Sequence, residues 1–476
     1  MNTSNNQEPI RDTEAFRDSI ATVDKQGHRK WIFPKKPKGR YYNARTYLSW
    51  FLLAFLIIAP FIKVNGEQLL LFNILKRKFV LFGIVFTPQD FHLFVFAMLI
   101  GIVFIILFTV VYGRVFCGWA CPQTIFMEMV FRKIEYLIDG DASAQRKLAK
   151  APWTTEKVIK RVLKHTIFFA IAVFITNIFL SYIIGMDELK RIISEPISEH
   201  LVGFIAMLLF SGAFYFVFSW MREQVCIAVC PYGRLQGVML DQNSIVVAYD
   251  FIRGEPRGKK RKKKVPDAVE ASPLGDCIDC KLCVQVCPTG IDIRNGTQLE
   301  CVNCTACIDA CDAVMDKIDR PRGLIRYDSL KGIKEGQKTI FTGRVKAYTA
   351  VLTVLLIAVG VMFSFRTNVE AIISQVRGTK YQEVGENQIS NIFMYDIVNK
   401  MGRTIPAELR IKDGLGKIDY IGSPLDSIYM PNVTGRFSVT VDKKNLKGRK
   451  TKLVLEVVSD GKVVTREKIN FVGPYR

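Results

Sequence analysis

Long apolar runs separated by basic loops organise most of the chain. Five stretches, roughly 46–62, 91–112, 166–186, 201–221 and 347–365, are long and apolar enough to cross a hydrocarbon core of about 30 Å as helices. A sixth, 69–86, is interrupted by Lys76, Arg77 and Lys78 and reads as an external loop or interfacial segment. Beyond residue 366 the pattern changes to period two. "RFSVTVD", "TKLVLEVVS" and "KVVTREKINFV" alternate apolar and polar residues between turn signals such as "SDGK". Roughly a hundred residues of such short strands predict a small β-sandwich.

Basic residues set the expected orientation, because cytoplasmic loops carry the excess of Lys and Arg. Arg29, Lys30, Lys35, Lys36, Lys38, Arg40 and Arg45 precede the first run, and Arg114, Arg132, Lys133, Arg146, Lys147 and Lys150 follow the second. The loop after the third run offers only Lys190 and Arg191, while "RGKKRKKK" at 257–264 follows the fourth. The expected protein lies in a bacterial inner membrane, with a cytoplasmic N-terminus and a periplasmic C-terminal domain. No signal-peptide pattern precedes Lys30. A net charge of +22 alongside 49% hydrophobic residues fits basic loops at a lipid surface and argues against a nucleic-acid partner.

The predicted fold class is therefore a multi-domain membrane protein. An α-helical transmembrane bundle of about five spans carries an inserted α+β two-cluster ferredoxin domain and ends in an all-β sandwich, which the family resemblance given below implies is immunoglobulin-like. The expected boundaries are a cytoplasmic segment over 1–45, spans one to four over 46–250, a polybasic linker and ferredoxin over 251–345, span five over 346–366 and the sandwich over 367–476.

The ferredoxin rests on the cysteines. All twelve lie between Cys117 and Cys311, and eight form two regular runs, "CIDCKLCVQVC" at 277–287 and "CVNCTACIDAC" at 301–311. Disulfides would not need such spacing, and zinc sites seldom use two matching runs of four. A run of Cys-x2-Cys-x2-Cys-x3-Cys supplies three thiolates to one [4Fe–4S] cluster and its last to the other. One cluster then takes Cys277, Cys280, Cys283 and Cys311, and the second takes Cys301, Cys304, Cys307 and Cys287. The region resembles a bacterial two-cluster ferredoxin, with Asp312 where a proline usually follows the last ligand.

The remaining four cysteines form a repeated motif, "CGWACP" at 117–122 and "CIAVCP" at 226–231. A helical backbone would put Cys117 and Cys121, or Cys226 and Cys230, one turn apart on a shared face. Pro122 and Pro231 suit the first position of a new helix, and 122–138 has helical apolar spacing. Arg114 and Arg222 stand just before the motifs and would add positive charge. An isolated buried cysteine is a small apolar filler; two matched pairs at span ends argue for four converging thiolates. These could hold a third iron–sulfur cluster, bind copper as Cu(I), or cycle between dithiol and disulfide, and the residues do not separate the three. Among the histidines, His92 and His200 fall at span ends near Asp90 and Glu199 and read as interfacial residues.

Two Cys-x3-Cys-Pro motifs, a ferredoxin insert and a cysteine-free β tail together resemble the FixG/CcoG family of cytochrome c oxidase accessory proteins. "PQDF" at 88–91 and "NIFMYDIVNK" at 391–400 belong to the resemblance. It implies reduction of Cu(II) to Cu(I) for the copper centre of a cbb-type oxidase, with Cys117, Cys121, Cys226 and Cys230 as the reactive set. The implied partners are copper ions, copper chaperones and oxidase subunits, with an unidentified cytoplasmic electron donor. An alternative is a quinol-oxidising subunit serving a periplasmic reductase. A mere assembly scaffold would leave the eight ligand cysteines without a purpose.

Overall fold

The computed structural model describes all residues except 1–21, 25, 65, 76–77, 87–89, 259–273, 337–340, 366–368, 377–380, 400–403, 413, 429–431, 447, 460 and 475–476. Lys76, Arg77, Lys400, Pro88, Gln89 and most of the polybasic run lie outside the described residues.

Among the described residues, five helices are long and apolar enough to cross a membrane: Arg40–Phe61, His92–Tyr112, Thr155–Ile184, Ile197–Met221 and Gly343–Ser364. The third starts well before its apolar run, because "TEKVIKRVLKH" is polar but helix-forming. The Thr154 hydroxyl accepts from the Lys157 amide at 3.4 Å, and Glu156 lies in the first turn, where the helix dipole favours an acid. The fourth ends in a π-helical turn, Val217–Met221, and stops at Arg222, whose φ of +52° breaks the helix. Large apolar side chains such as Phe104, Leu209, Phe210, Val354 and Ile357 are exposed along these helices, as a lipid-facing surface requires.

Residues 69–86, read from sequence as a loop or interfacial segment, form a three-stranded antiparallel sheet of Leu70–Asn73, Lys78–Leu81 and Ile84–Phe86. Leu71, Val80 and Val85 bury one face. Phe82 and Gly83 both take positive φ, the geometry of a two-residue hairpin turn. Lys78 pairs with Glu67 at 2.6 Å, so this cation serves the sheet as well as the charge count.

Among the described residues, most C-terminal strands form two sheets around one core, beside a two-stranded pair of Ile405–Pro406 and Ser427–Ile428. One orders Gly416–Ile421, Asn432–Asp442, Gln388–Asn399 and Val369–Gln375; the other orders Glu408–Ile411, Lys450–Ser459 and Lys462–Val472. Alternate residues of each strand, including Phe393, Ile397, Phe437, Val439, Leu455 and Phe471, fill the space between them.

Contacts divide the chain into two compact units. One comprises residues up to Ile57, Met98–Ile178 and Glu195–Leu356; the other comprises Ile58–Ala97, Phe179–Ser194 and Ile357–Arg476. All twelve cysteines belong to the first.

Candidate metal centres

The two cysteine runs fold alike for a local reason. Asp279 and Lys281 in the first, and Asn303 and Thr305 in the second, take positive φ at equal offsets from Cys277 and Cys301. Left-handed residues on either side of Cys280 and Cys304 curl the backbone, a geometry that can turn its N–H groups toward an anionic group. Each run then enters a helix, Leu282–Gln285 or Ala306–Lys317. Strand Val246–Tyr249 pairs antiparallel with Ile325–Asp328 across the module.

Two cavities result. One is lined by Cys277, Cys280, Cys283 and Cys311, with Tyr249, Val314, Met315, Leu324 and Ile325 among its walls. The other is lined by Cys287, Cys301, Cys304 and Cys307 and also by Cys283, with Val247, Ile291, Ile293 and Val302 among its walls. The first thus draws three cysteines from one run and a fourth from the other, and the second draws three from the second run with Cys287 and Cys283 from the first. Four sulfur donors in a largely apolar pocket fit a [4Fe–4S] cluster. Burial pushes the thiols of Cys283, Cys301 and Cys311 up to about 12 and that of Cys287 to about 11. Ligation must therefore displace the proton, and binding the group is coupled to thiol ionisation.

Cys117, Cys121, Cys226 and Cys230 come together in the same unit, close enough for Cys226 to feel the other three electrostatically. They do not share helical faces as the spacing suggested. Cys117 lies in the short helix Val115–Trp119, whereas Cys121 and Cys230 are extended, with ψ of 126° and 108°. The following prolines enforce this, because a residue before proline is driven out of the helical region. Each proline then opens a helical segment, with its cysteine at the N-cap. The segment after Pro122 is π-helical over Ile125–Phe131 and α-helical over Arg132–Ile138. Cys117 donates to Gln236 Oε1 at 2.9 Å, and Gln236 donates to Thr109 Oγ1 at 3.0 Å. Burial pushes Cys117 up and Cys226 to about 12, with Arg114 opposing both shifts. Arg222 is held instead by Glu135 and lies over the Trp31 ring, 5.0 Å from its centroid.

The first membrane motif abuts the second cluster cavity directly. An added Cβ on Gly118 would sit 2.5 Å from the carbonyl oxygen of Val302, the residue that follows Cys301 in the second cysteine run. Arg45 donates to Gly118 O at 2.9 Å and to Cys304 O at 3.0 Å. Trp119 Nε1 donates to Tyr327 Oη at 3.1 Å, and Tyr327 donates to Asn303 O at 3.2 Å. From the N-terminal segment, the Lys35 amide donates to Gln285 O at 2.8 Å, and the Tyr41 and Tyr42 amides donate to Asp309 at 3.1 and 2.7 Å. Arg45, Gln236 and Asp309 were not visible as site residues in the sequence: Arg45 counted only as a flanking charge, and the other two carry no motif. His200 neighbours Glu195 and Glu199, their donor atoms within 4.8 Å of one another, and His92 is exposed. Neither lines a cysteine cavity.

Fold and sites together define a membrane-bound iron–sulfur electron-transfer protein. Residues 221–330 match the family described as a 4Fe-4S dicluster domain, 94–139 a 4Fe-4S binding domain, and 359–474 the IG-like fold at the C-terminus of FixG. The chain belongs to the FixG family. Protein RdxA of Cereibacter sphaeroides is 33% identical over 420 residues, covering 85% of this chain and 87% of that protein. Protein RdxB of the same organism is 34% identical over 390 residues, covering 79% and 80%. Nitrogen fixation protein FixG of Rhizobium meliloti is 39% identical over 312 residues, 63% of this chain and 58% of FixG, so the match spans less than two thirds of that relative. A solved FixG-related protein from Vibrio parahaemolyticus covers 22% of this chain and 97% of its own, at 13% identity and a TM-score of 0.20.

Proposed function

We propose that the protein reduces Cu(II) to Cu(I) for assembly of the copper centre of a cbb-type cytochrome c oxidase. In this reading Cys277, Cys280, Cys283 and Cys311 hold one [4Fe–4S] cluster and Cys287, Cys301, Cys304 and Cys307 the other. When bound, the clusters supply one-electron chemistry at low potential. One electron converts one Cu(II) to Cu(I), the softer ion that thiolates favour. The observation that carries the reading is the seating of Gly118 on the Val302 carbonyl, which sets the Cys117 motif beside the cavity of Cys301 and Cys304.

The chain's own groups define the remaining roles. Cys117, Cys121, Cys226 and Cys230 are the converging donors at which the copper is received, and the Gln236–Thr109 pair orients the Cys117 sulfur. The basic residues flanking the helices support a cytoplasmic location for the cysteines and a periplasmic one for the β-domain, in a bacterial inner membrane. Copper chaperones and oxidase subunits are then the downstream partners, and a cytoplasmic donor supplies electrons.

Anaerobic purification, reduction and addition of either Cu(II) or a quinone analogue tests the proposal. Copper reoxidises the reduced protein and yields Cu(I), while the quinone does not. Reoxidation by quinone alone would replace this reading with that of a quinol-linked respiratory subunit.

A further inference from the structure

Two buried arginines lie where the membrane cysteines meet the ferredoxin loops, and the reaction as described uses neither charge. Arg45 points both of its bonded nitrogens at backbone carbonyls, those of Gly118 and Cys304. Arg114 follows Gly113, whose φ of +56° turns the chain inward at the end of the second apolar helix. Its Nη1 donates to Leu299 O, and its Nη2 lies against Gly233, where an added Cβ would be 2.7 Å away. Its Nε is buried with no hydrogen-bond acceptor. Arg114 also lines a cavity with Cys301, Gln298 and Asn303. It thus stands three residues before Cys117 in the chain, against the segment that follows the second membrane motif, and beside the loop of one cluster.

Two equally buried arginines nearby are neutralised: Arg132 pairs with Glu128 and Glu223, and Arg222 with Glu135. Arg45 and Arg114 make no such ion pair among the described residues. A buried charge left unpaired is costly, so the fold keeps these two where negative charge is to be met. We infer that Arg45 and Arg114 are positioning residues for electron transfer: buried counter-charges shared by the Cys287/Cys301/Cys304/Cys307 site and the paired membrane cysteines. The inference rests on the cluster assignment proposed above. A cation beside a redox centre stabilises its reduced, more negative form, and burial shields that interaction from salt. The Cys277/Cys280/Cys283/Cys311 site borders neither arginine's hydrogen bonds and lies outside the effect.

EPR-monitored redox titration of the full-length protein in detergent tests this. The clusters are told apart by Cys287→Ser and Cys311→Ser, each of which removes one. Arg114→Gln and Arg45→Gln retain full iron and lower the midpoint of the Cys287-dependent cluster by about 60 mV, tenfold in one-electron occupancy. The Cys311-dependent cluster stays where it was. Arg114→Lys and Arg45→Lys, which keep the charge, recover most of the shift. Should Arg114→Gln lose its clusters, Arg45→Gln decides by the same criteria. The inference is overturned if the Cys287-dependent cluster does not move, if both clusters move alike, or if the Lys variants fall as far as the Gln variants. Iron content reads the cluster assignment, and Cu(II) reduction reads the proposed reaction, each independently of the potentials.

Discussion

The carbonyl oxygens of Gly118 and Cys304 accept from one guanidinium, Arg45, at 2.9 and 3.0 Å. The short helix Val115–Trp119 and the loop of the second cysteine run are thereby held in close contact. Gly118→Ala tests that closeness. Its Cβ would meet the backbone oxygens of Val302 and Asn303 at 2.5 and 2.8 Å, and neither belongs to a flexible side chain. Overpacking of this kind costs about 1–3 kcal/mol. The variant should keep its iron, melt earlier and transfer electrons to Cu(II) more slowly in stopped-flow reoxidation.

Cys287→Ser and Cys311→Ser should each remove a single cluster, although each residue closes the run that mainly serves the other one. Iron should fall by about four atoms per chain in either variant and by about eight in the double variant. Loss of both clusters from either single variant, with the protein still folded, would contradict the crossed ligand sets.

Glu135 is predicted to control acid stability. Burial alone would raise its pKa, but Arg222 and Lys164 reverse the effect and hold the carboxyl below its usual range. A carboxylate depressed in the folded state stabilises it above the unfolded pKa and loses that contribution as pH falls through the folded value. Thermal melts in detergent should therefore show an acid-side loss below about pH 4.5 that Glu135→Gln lacks. At neutral pH the same variant leaves buried Arg222 without its carboxylate, while Lys164 keeps Asp139 at 2.6 Å, and should cost about 3–5 kcal/mol.

Phe437 is fully buried in the β-domain and stacks on Phe393 with centroids 5.8 Å apart. Phe437→Ala should destabilise that domain by about 3–5 kcal/mol. Because the cysteines belong to the other compact unit, the visible absorbance of the clusters should persist while the β-domain transition moves to lower temperature.

Much of this organisation is legible in the sequence. Apolar length announces the five helices, alternation announces the strands around Phe437 and Phe471, and cysteine spacing marks the two cavities. What escaped depends on contacts between distant residues or on single backbone angles. Cys121 looks helical by spacing, yet Pro122 forces it to be extended. Residues 69–86 look irregular because Lys76–Lys78 interrupt the apolar run, although the Phe82–Gly83 turn closes a hairpin. Arg45 looks like one more flanking charge until the ferredoxin loop folds back on it.

The grip of Asp309 on the amides of Tyr41 and Tyr42, together with the bond from Lys35 to Gln285, has a kinetic consequence. Many redox modules work as swinging carriers that detach, diffuse and dock again. Here the amino-terminal segment laces the helices of both cysteine runs to the start of the first membrane helix, which would hold the proposed relay in a fixed geometry. Transfer through it should be insensitive to solvent viscosity, and loosening that lace should convert it into a gated, viscosity-dependent step.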